Sequence, residues 1–324
     1  ALLSSRSEKF FRDYPFHVRP PTDDRPYFFR FFRWRSLPVL VSSAGRDWVN
    51  YVEWGYLVLV ATVLQALLAA TMLVLLPLAT FGRARGTRGS TGAVVACFGA
   101  LGVAFMFLEI AFIQKMMRFL HHPVFAVSVV LTSFLVFAGL GSLFADRVRA
   151  RPVRRVAIVV LLLALVSALY LVMLPPLFRF GAGWPAVVRV AASIALLAPL
   201  AFLMGIPFPT CLQVLSDRPR GPVAWAWGVN GAASVIGATV ATLVAVHAGF
   251  QIVVAVAVML YLVVPLSLRR LSDRTCRAPH GAASLNSSRR LSVSQPASRS
   301  SPGPSTSESR SSSRDWMRSR ASEK

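Results

Sequence analysis

The sequence predicts an all-α membrane fold, a polytopic bundle of about seven transmembrane helices. Three observations carry that expectation. Of the 324 residues, 55% are hydrophobic and only 15% are charged, against about 25% charged in a typical soluble domain. Between residues 54 and 268 only Glu109, Asp146 and Asp217 are acidic. The same segment divides into seven apolar runs, each near the ~20 residues that cross a ~30 Å hydrocarbon core as a helix. Backbone groups in lipid must bond internally, so such runs are helices and not loops. A large buried helical core is the soluble alternative, and seven such runs disfavour it.

The runs are read at 57–79, 93–114, 124–145, 156–178, 186–206, 223–247 and 250–268. Tyr51, Trp54 and Tyr56 stand at the first, Trp184 before the fifth, and Trp225 and Trp227 at the sixth. Aromatic residues at span ends fit an interfacial belt. The last run is parted from the sixth only by Ala248, Gly249 and Phe250. A tight turn at Gly249 gives seven spans; without it there are six.

Two segments flank this region. Residues 1–53 hold five prolines between Pro15 and Pro38, which forbid one long helix there. Tyr27 to Trp34 interleaves six aromatic residues with Arg30 and Arg33. Such a patch can stack single-stranded nucleic acid, but beside a span it reads as an interfacial segment, and no nucleic-acid partner is expected. Residues 269–324 carry 12 basic and 4 acidic residues among Ser and Pro, with no apolar period. They read as a disordered basic tail, either passive or drawn to anionic lipid. Three Cys make no disulfide framework and no metal spacing.

Basic residues are lopsided between the loops. Arg83, Arg85, Arg88, Arg147, Arg149, Arg151, Arg154, Arg155, Arg218 and Arg220 follow the odd runs, whereas Lys115, Arg118, Arg179 and Arg189 follow the even ones. The positive-inside rule places the first group in the cytoplasm and residues 1–53 outside.

Glu109 is the sharpest candidate. A carboxylate at membrane depth costs about 3 kcal/mol on insertion scales, so it faces the bundle interior. Gly102, Phe105, Phe112 and Ile113 share its face, and Lys115 lies on another. It reads either as a proton, cation or amine site, or as a tie between helices. Asn230 is the second intramembrane polar group. With Gly231, Ala233, Ser234 and Gly237 beside it, close helix packing is favoured over lining a cavity. Met204 to Pro209 contains two prolines that end the fifth span, either at the interface or as a broken helix lining a site. His121 and His122 are adjacent and share no helix face, so they make no metal pair without further ligands. Asp23 and Asp24 suit contact with a cationic substrate, whereas Thr22 and Asp23 can instead cap a turn locally.

Several stretches resemble the membrane-fused spermidine synthase-like family. Thr22-Asp23-Asp24-Arg25-Pro26 is similar to the T-D-D-x-P stretch near the end of that family's Rossmann-like domain. Phe107 to Lys115 (FLEIAFIQK), Phe119-Leu120-His121-His122-Pro123, Gly139-Leu140-Gly141-Ser142, Met204 to Pro209 (MGIPFP) and Trp225 to Ser234 (WAWGVNGAAS) resemble its membrane part, in order, from about residue 10 to 268. His121 departs from the pattern, which has Gly in L-G-H-P, and the Ser/Arg tail departs too. The resemblance implies a transferase, moving an aminopropyl or methyl group from S-adenosylmethionine or its decarboxylated form to an amine. It implies that residues 1–53 hold the end of an α/β Rossmann-like soluble domain, with the interfacial segment, ahead of the transmembrane domain at 54–268; the tail at 269–324 lies outside the resemblance. It implies a multi-pass protein of a bacterial inner membrane. No glycine-rich nucleotide loop is present, so no cofactor or catalytic residue is expected within this chain. Most of the catalytic core is expected upstream of Ala1.

Overall fold

The computed structural model describes residues 10, 11, 13, 14, 24, 36, 38, 42, 54–77, 88–147, 151–217 and 223–273. Among these there is no strand. Eight helices follow in order: α1 (Trp54–Ala70), α2 (Arg88–Leu120), α3 (Pro123–Arg147), α4 (Pro152–Gly181), α5 (Ala186–Gly205), α6 (Pro207–Ser216), α7 (Val223–Ala248) and α8 (Phe250–Asp273). They supply seven stretches long and apolar enough to cross a membrane, α5 and α6 counting as one. This is the architecture of a multi-pass membrane protein.

Seven spans, not six, follow from Gly249. Its φ of 90° is a left-handed conformation that costs a glycine little. The Gly249 amide donates to Ala245 O at 3.0 Å, closing α7, and Gly249 O accepts from Val253 N at 3.3 Å, opening α8. One residue reverses the chain.

α2 is the central helix and packs along α7 and α8. Its glycines set that contact. A Cβ on Gly102 would lie 2.5 Å from Asn230 O and 3.1 Å from Ala233 Cβ, and one on Gly237 would lie 3.0 Å from Val103 Cα. Gly99 meets Val229, so α2 and α7 run parallel. At the far end of α2, the Phe112 ring meets Phe250 edge-on at 5.8 Å, where α8 begins. α3 and α5 make the second close pair. Cβ atoms on Gly141 and Gly205 would fall within 2.1 Å of Phe202 O and 2.0 Å of Ala138 O. Small residues let backbones approach where lipid offers no hydrophobic drive for association.

Three expectations change. Gly205 does end α5, but Pro207 opens α6 at once. Proline is tolerated there because the first helical N–H needs no intrahelical partner. The fifth run therefore extends to Ser216 as two joined helices. The tail does not begin at 269, since α8 continues to Asp273. Gly231, expected to pack beside Asn230, would have nothing within 4 Å of a Cβ placed on it, and Gly228 likewise. The Rossmann-like remnant at 1–53 and the tail beyond 273 lie outside the described residues, apart from isolated positions such as Asp24.

Candidate functional site

The ends of α2 and α4 and the starts of α5 and α8 converge at one end of the bundle. Lys115, in the last two turns of α2, is 7% exposed, and its Nζ lies 4.8 Å from the centre of the Phe250 ring. Two cavities share Lys115 and Pro175 in their walls. The larger, about 250 Å³, is also bounded by Arg118, His121, Phe178 and Arg179. The smaller, about 90 Å³, adds Asp24, Tyr170, Phe250 and Gln251. Rigid packing frames them. The Phe119 and Phe178 rings stack at 4.6 Å and 14°, and Gly181 lies against Phe119 where a Cβ would not fit. Arg189 Nη1 donates to Phe119 O at 3.1 Å, tying the start of α5 to the end of α2. The Tyr170 hydroxyl donates to Leu196 O, tying α4 to α5.

Asp24 reaches this end from far away in the sequence. Its backbone oxygen accepts from Phe250 N at 3.2 Å, and its Oδ1 accepts from Gln251 N at 3.0 Å. The first amides of a helix lack intrahelical acceptors, and a carboxylate there also meets the positive end of the helix dipole. Asp24 thus caps α8, a cap made across 227 residues. Asp23 lies outside the described residues.

His121 joins α2 to α3 with φ 56°, in the left-handed region that favours glycine. The position where this sequence departs from L-G-H-P is therefore one whose backbone suits Gly. His122 packs its ring edge-on against Phe125 at 5.4 Å.

Glu109 sits one and a half turns before Lys115. It is 8% exposed, has no hydrogen-bond partner among the described residues, and lines neither cavity. Asn230 is half-buried, and it is its backbone carbonyl that meets α2 at Gly102 while accepting from Ser234 Oγ at 2.9 Å.

The opposite end holds a second polar network. Arg155 Nη2 donates to Thr210 Oγ1 at 2.7 Å, and Nη1 donates to Ala145 O at 3.2 Å. Gln213 Nε2 donates to Asp146 Oδ1 at 2.7 Å. These bonds lock α6 onto α3 and α4 just past the break at Gly205. On the same short helix, the fully buried Cys211 thiol sits 3.4 Å from that of Cys97, joining α2 to α6.

Sequence reasoning missed Tyr170, Gln251, the thiol pair and the Arg155–Thr210 bond. Lys115 was noted as lying off the Glu109 face and as one of the basic residues after the even runs, not as part of a cavity. Each depends on helix pairing, which no local spacing reports. No family model, curated protein or solved structure matches this chain.

Proposed function

We propose that this chain is the membrane-embedded portion of a spermidine synthase-like transferase, whose bundle seats a soluble catalytic domain at the Lys115 end. One observation carries the reading. Asp24, inside the T-D-D-R-P stretch that resembles the family's catalytic domain, bonds the first two amides of α8 at the rim of a cavity. The other resembling stretches fall where helices meet: Gly141 against Gly205 and Phe202, and the Asn230 region against Gly102. Left-handed His121 at the family's glycine position agrees with it. In the proposed reaction an amine nitrogen attacks the carbon beside a sulfonium, the carbon–sulfur bond breaks, and the amine gives its proton to a basic group. A donor of the S-adenosylmethionine type supplies the transferred carbon. The catalytic groups belong to the soluble domain, and the bundle fixes that domain beside the membrane.

The test uses the full gene product, including whatever is encoded upstream of Ala1. Membranes carrying it are given donor labelled on the transferable group and a diamine acceptor. Label should move to the acceptor. An upstream frame with no strand, glycine-rich loop and helix, or membranes that transfer no label from either donor, would sink the reading.

Glu109, buried and without a hydrogen-bond partner among the described residues, favours a second reading, transport of a small cation or a proton-coupled solute. Its mark is uptake into vesicles that disappears in Glu109→Gln while the protein still folds. Uptake that survives the substitution removes Glu109 from the pathway.

A further inference from the structure

A groove lies at the end opposite Lys115, between the start of α4 and the end of α8. It measures about 630 Å³ and is lined by Arg151, Arg154, Arg269 and Ser272 above an apolar floor that includes Ile158 and Leu161. None of the described residues lining it is acidic. The three guanidiniums have no hydrogen-bond or ion-pair partner among the described residues. Arg155, the next residue, is by contrast committed to Thr210 and Ala145 and turns inward.

A second feature adds to the charge. Arg151 is the N-cap of α4 with φ 47° and makes no side-chain cap, and no acidic residue stands in the first turn. Pro152 has no N–H, and the amides of Val153 and Arg154 precede the first intrahelical bond, Arg155 N to Arg151 O. The uncapped positive end of a 30-residue helix therefore opens beside the guanidiniums, and such an end suits an oxyanion.

The floor says what kind of anion. Arg154, Ile158, Leu161 and Leu165 follow at helical spacing along one face of α4, and the three apolar members are exposed. On α8, Arg269 is followed toward mid-span by exposed Leu266 and Leu262. Both walls thus run from a cationic rim to an apolar flank within a turn or two of helix, at the end of two candidate spans. A free phosphate would use only the rim. A diacyl lipid uses both.

We propose that this groove binds an anionic phospholipid, its phosphate held by Arg151, Arg154, Arg269 and the first amides of α4, and its acyl chains laid along α4 and α8. The site is in the folded bundle and does not require the basic tail.

The test measures lipid binding to the purified full chain in neutral detergent by native mass spectrometry. Phosphatidylglycerol is compared with phosphatidylcholine and with soluble glycerol 3-phosphate. The wild type should retain phosphatidylglycerol at least tenfold more strongly than either. Near a membrane each basic residue contributes about a fivefold preference for anionic lipid, so Arg151→Gln, Arg154→Gln and Arg269→Gln together should cost on the order of 100-fold. Removing residues 278–324 should leave the selectivity in place. Should the triple variant fail to fold, Arg154→Gln and Arg269→Gln are made singly, each expected to lose about fivefold. The proposal is overturned by Gln variants that bind as the wild type does, by glycerol 3-phosphate binding as tightly as the lipid, or by selectivity that leaves with the tail.

Discussion

α1 and α2 are about equally apolar, yet only 11% of the most apolar stretch of α1 is buried against 56% in α2. In α1 the single buried residue is Ala66. In α2 whole turns are enclosed by α7, α8 and α3. Hydropathy therefore selects which segments enter a membrane but not which become interior, because lipid is as good a neighbour for Leu as protein is. What separates the two helices is small and polar residues. α2 carries Gly99 and Gly102 on the face that meets α7, and Glu109 and Lys115 with almost no exposure. In α1, Gly55 has nothing near it.

The comparison breaks most plainly at those glycines. Gly102→Leu must displace the Asn230 carbonyl, 2.5 Å from the new Cβ. Overpacking of this kind costs about 1–3 kcal/mol and more where backbone is in the way, so loss of folded protein on size-exclusion chromatography is expected. Gly55→Leu should stay within about 0.5 kcal/mol of wild type. If both variants were tolerated alike, glycine would not be what places α2 inside.

Asp24→Ala probes how the interior helices are closed at their ends. Loss of a capping oxygen costs about 1 kcal/mol. Thermal unfolding in detergent should register it, and hydrogen exchange should rise first at Phe250 and Gln251. An unchanged exchange rate there would mean that α8 holds its start without the N-terminal segment.

His121→Gly runs the other way. A non-glycine residue at φ 56° bears about 1–2 kcal/mol of strain, and glycine's extra freedom in the unfolded chain returns about 0.5–1 kcal/mol of that. The net is a gain of about 0.5–1 kcal/mol, read as a higher unfolding midpoint. A loss would mean that the imidazole makes a contact worth more than the backbone strain.

The spans were legible because each is a long local signal. The number seven hung on Gly249, and its φ of 90° is what a lone glycine between two apolar runs suggests. The floor of the fifth run was misread because proline marks a helix start as well as a stop: Pro207 opens α6. Glu109 and Lys115 were visible as charges but their surroundings were not. The cavities at Lys115 are made by residues from four separated stretches, Asp24, Lys115, Tyr170 and Gln251 among them. Gly141 and Gly205 were visible within their motifs, but that they pack against each other's helices is a statement about pairing that one sequence does not carry.

The smallest effect belongs to α1. Tyr56 Oη lies 3.3 Å from His247 Nε2, and the rings meet at 5.6 Å, which helps hold the rim helix to α7. His247 Nδ1 lies 2.9 Å from Leu243 O. A carbonyl oxygen only accepts, so Nδ1 carries the proton of the neutral ring and Nε2 accepts from the tyrosine. The pair is exposed, where water competes for both groups, and Tyr56→Phe keeps the ring contact. A cost at or below the ~0.5 kcal/mol floor for a hydrogen bond is expected, a fall of about 1–2 °C in the unfolding midpoint. A fall as large as that of Gly102→Leu would place α1 in the interior after all.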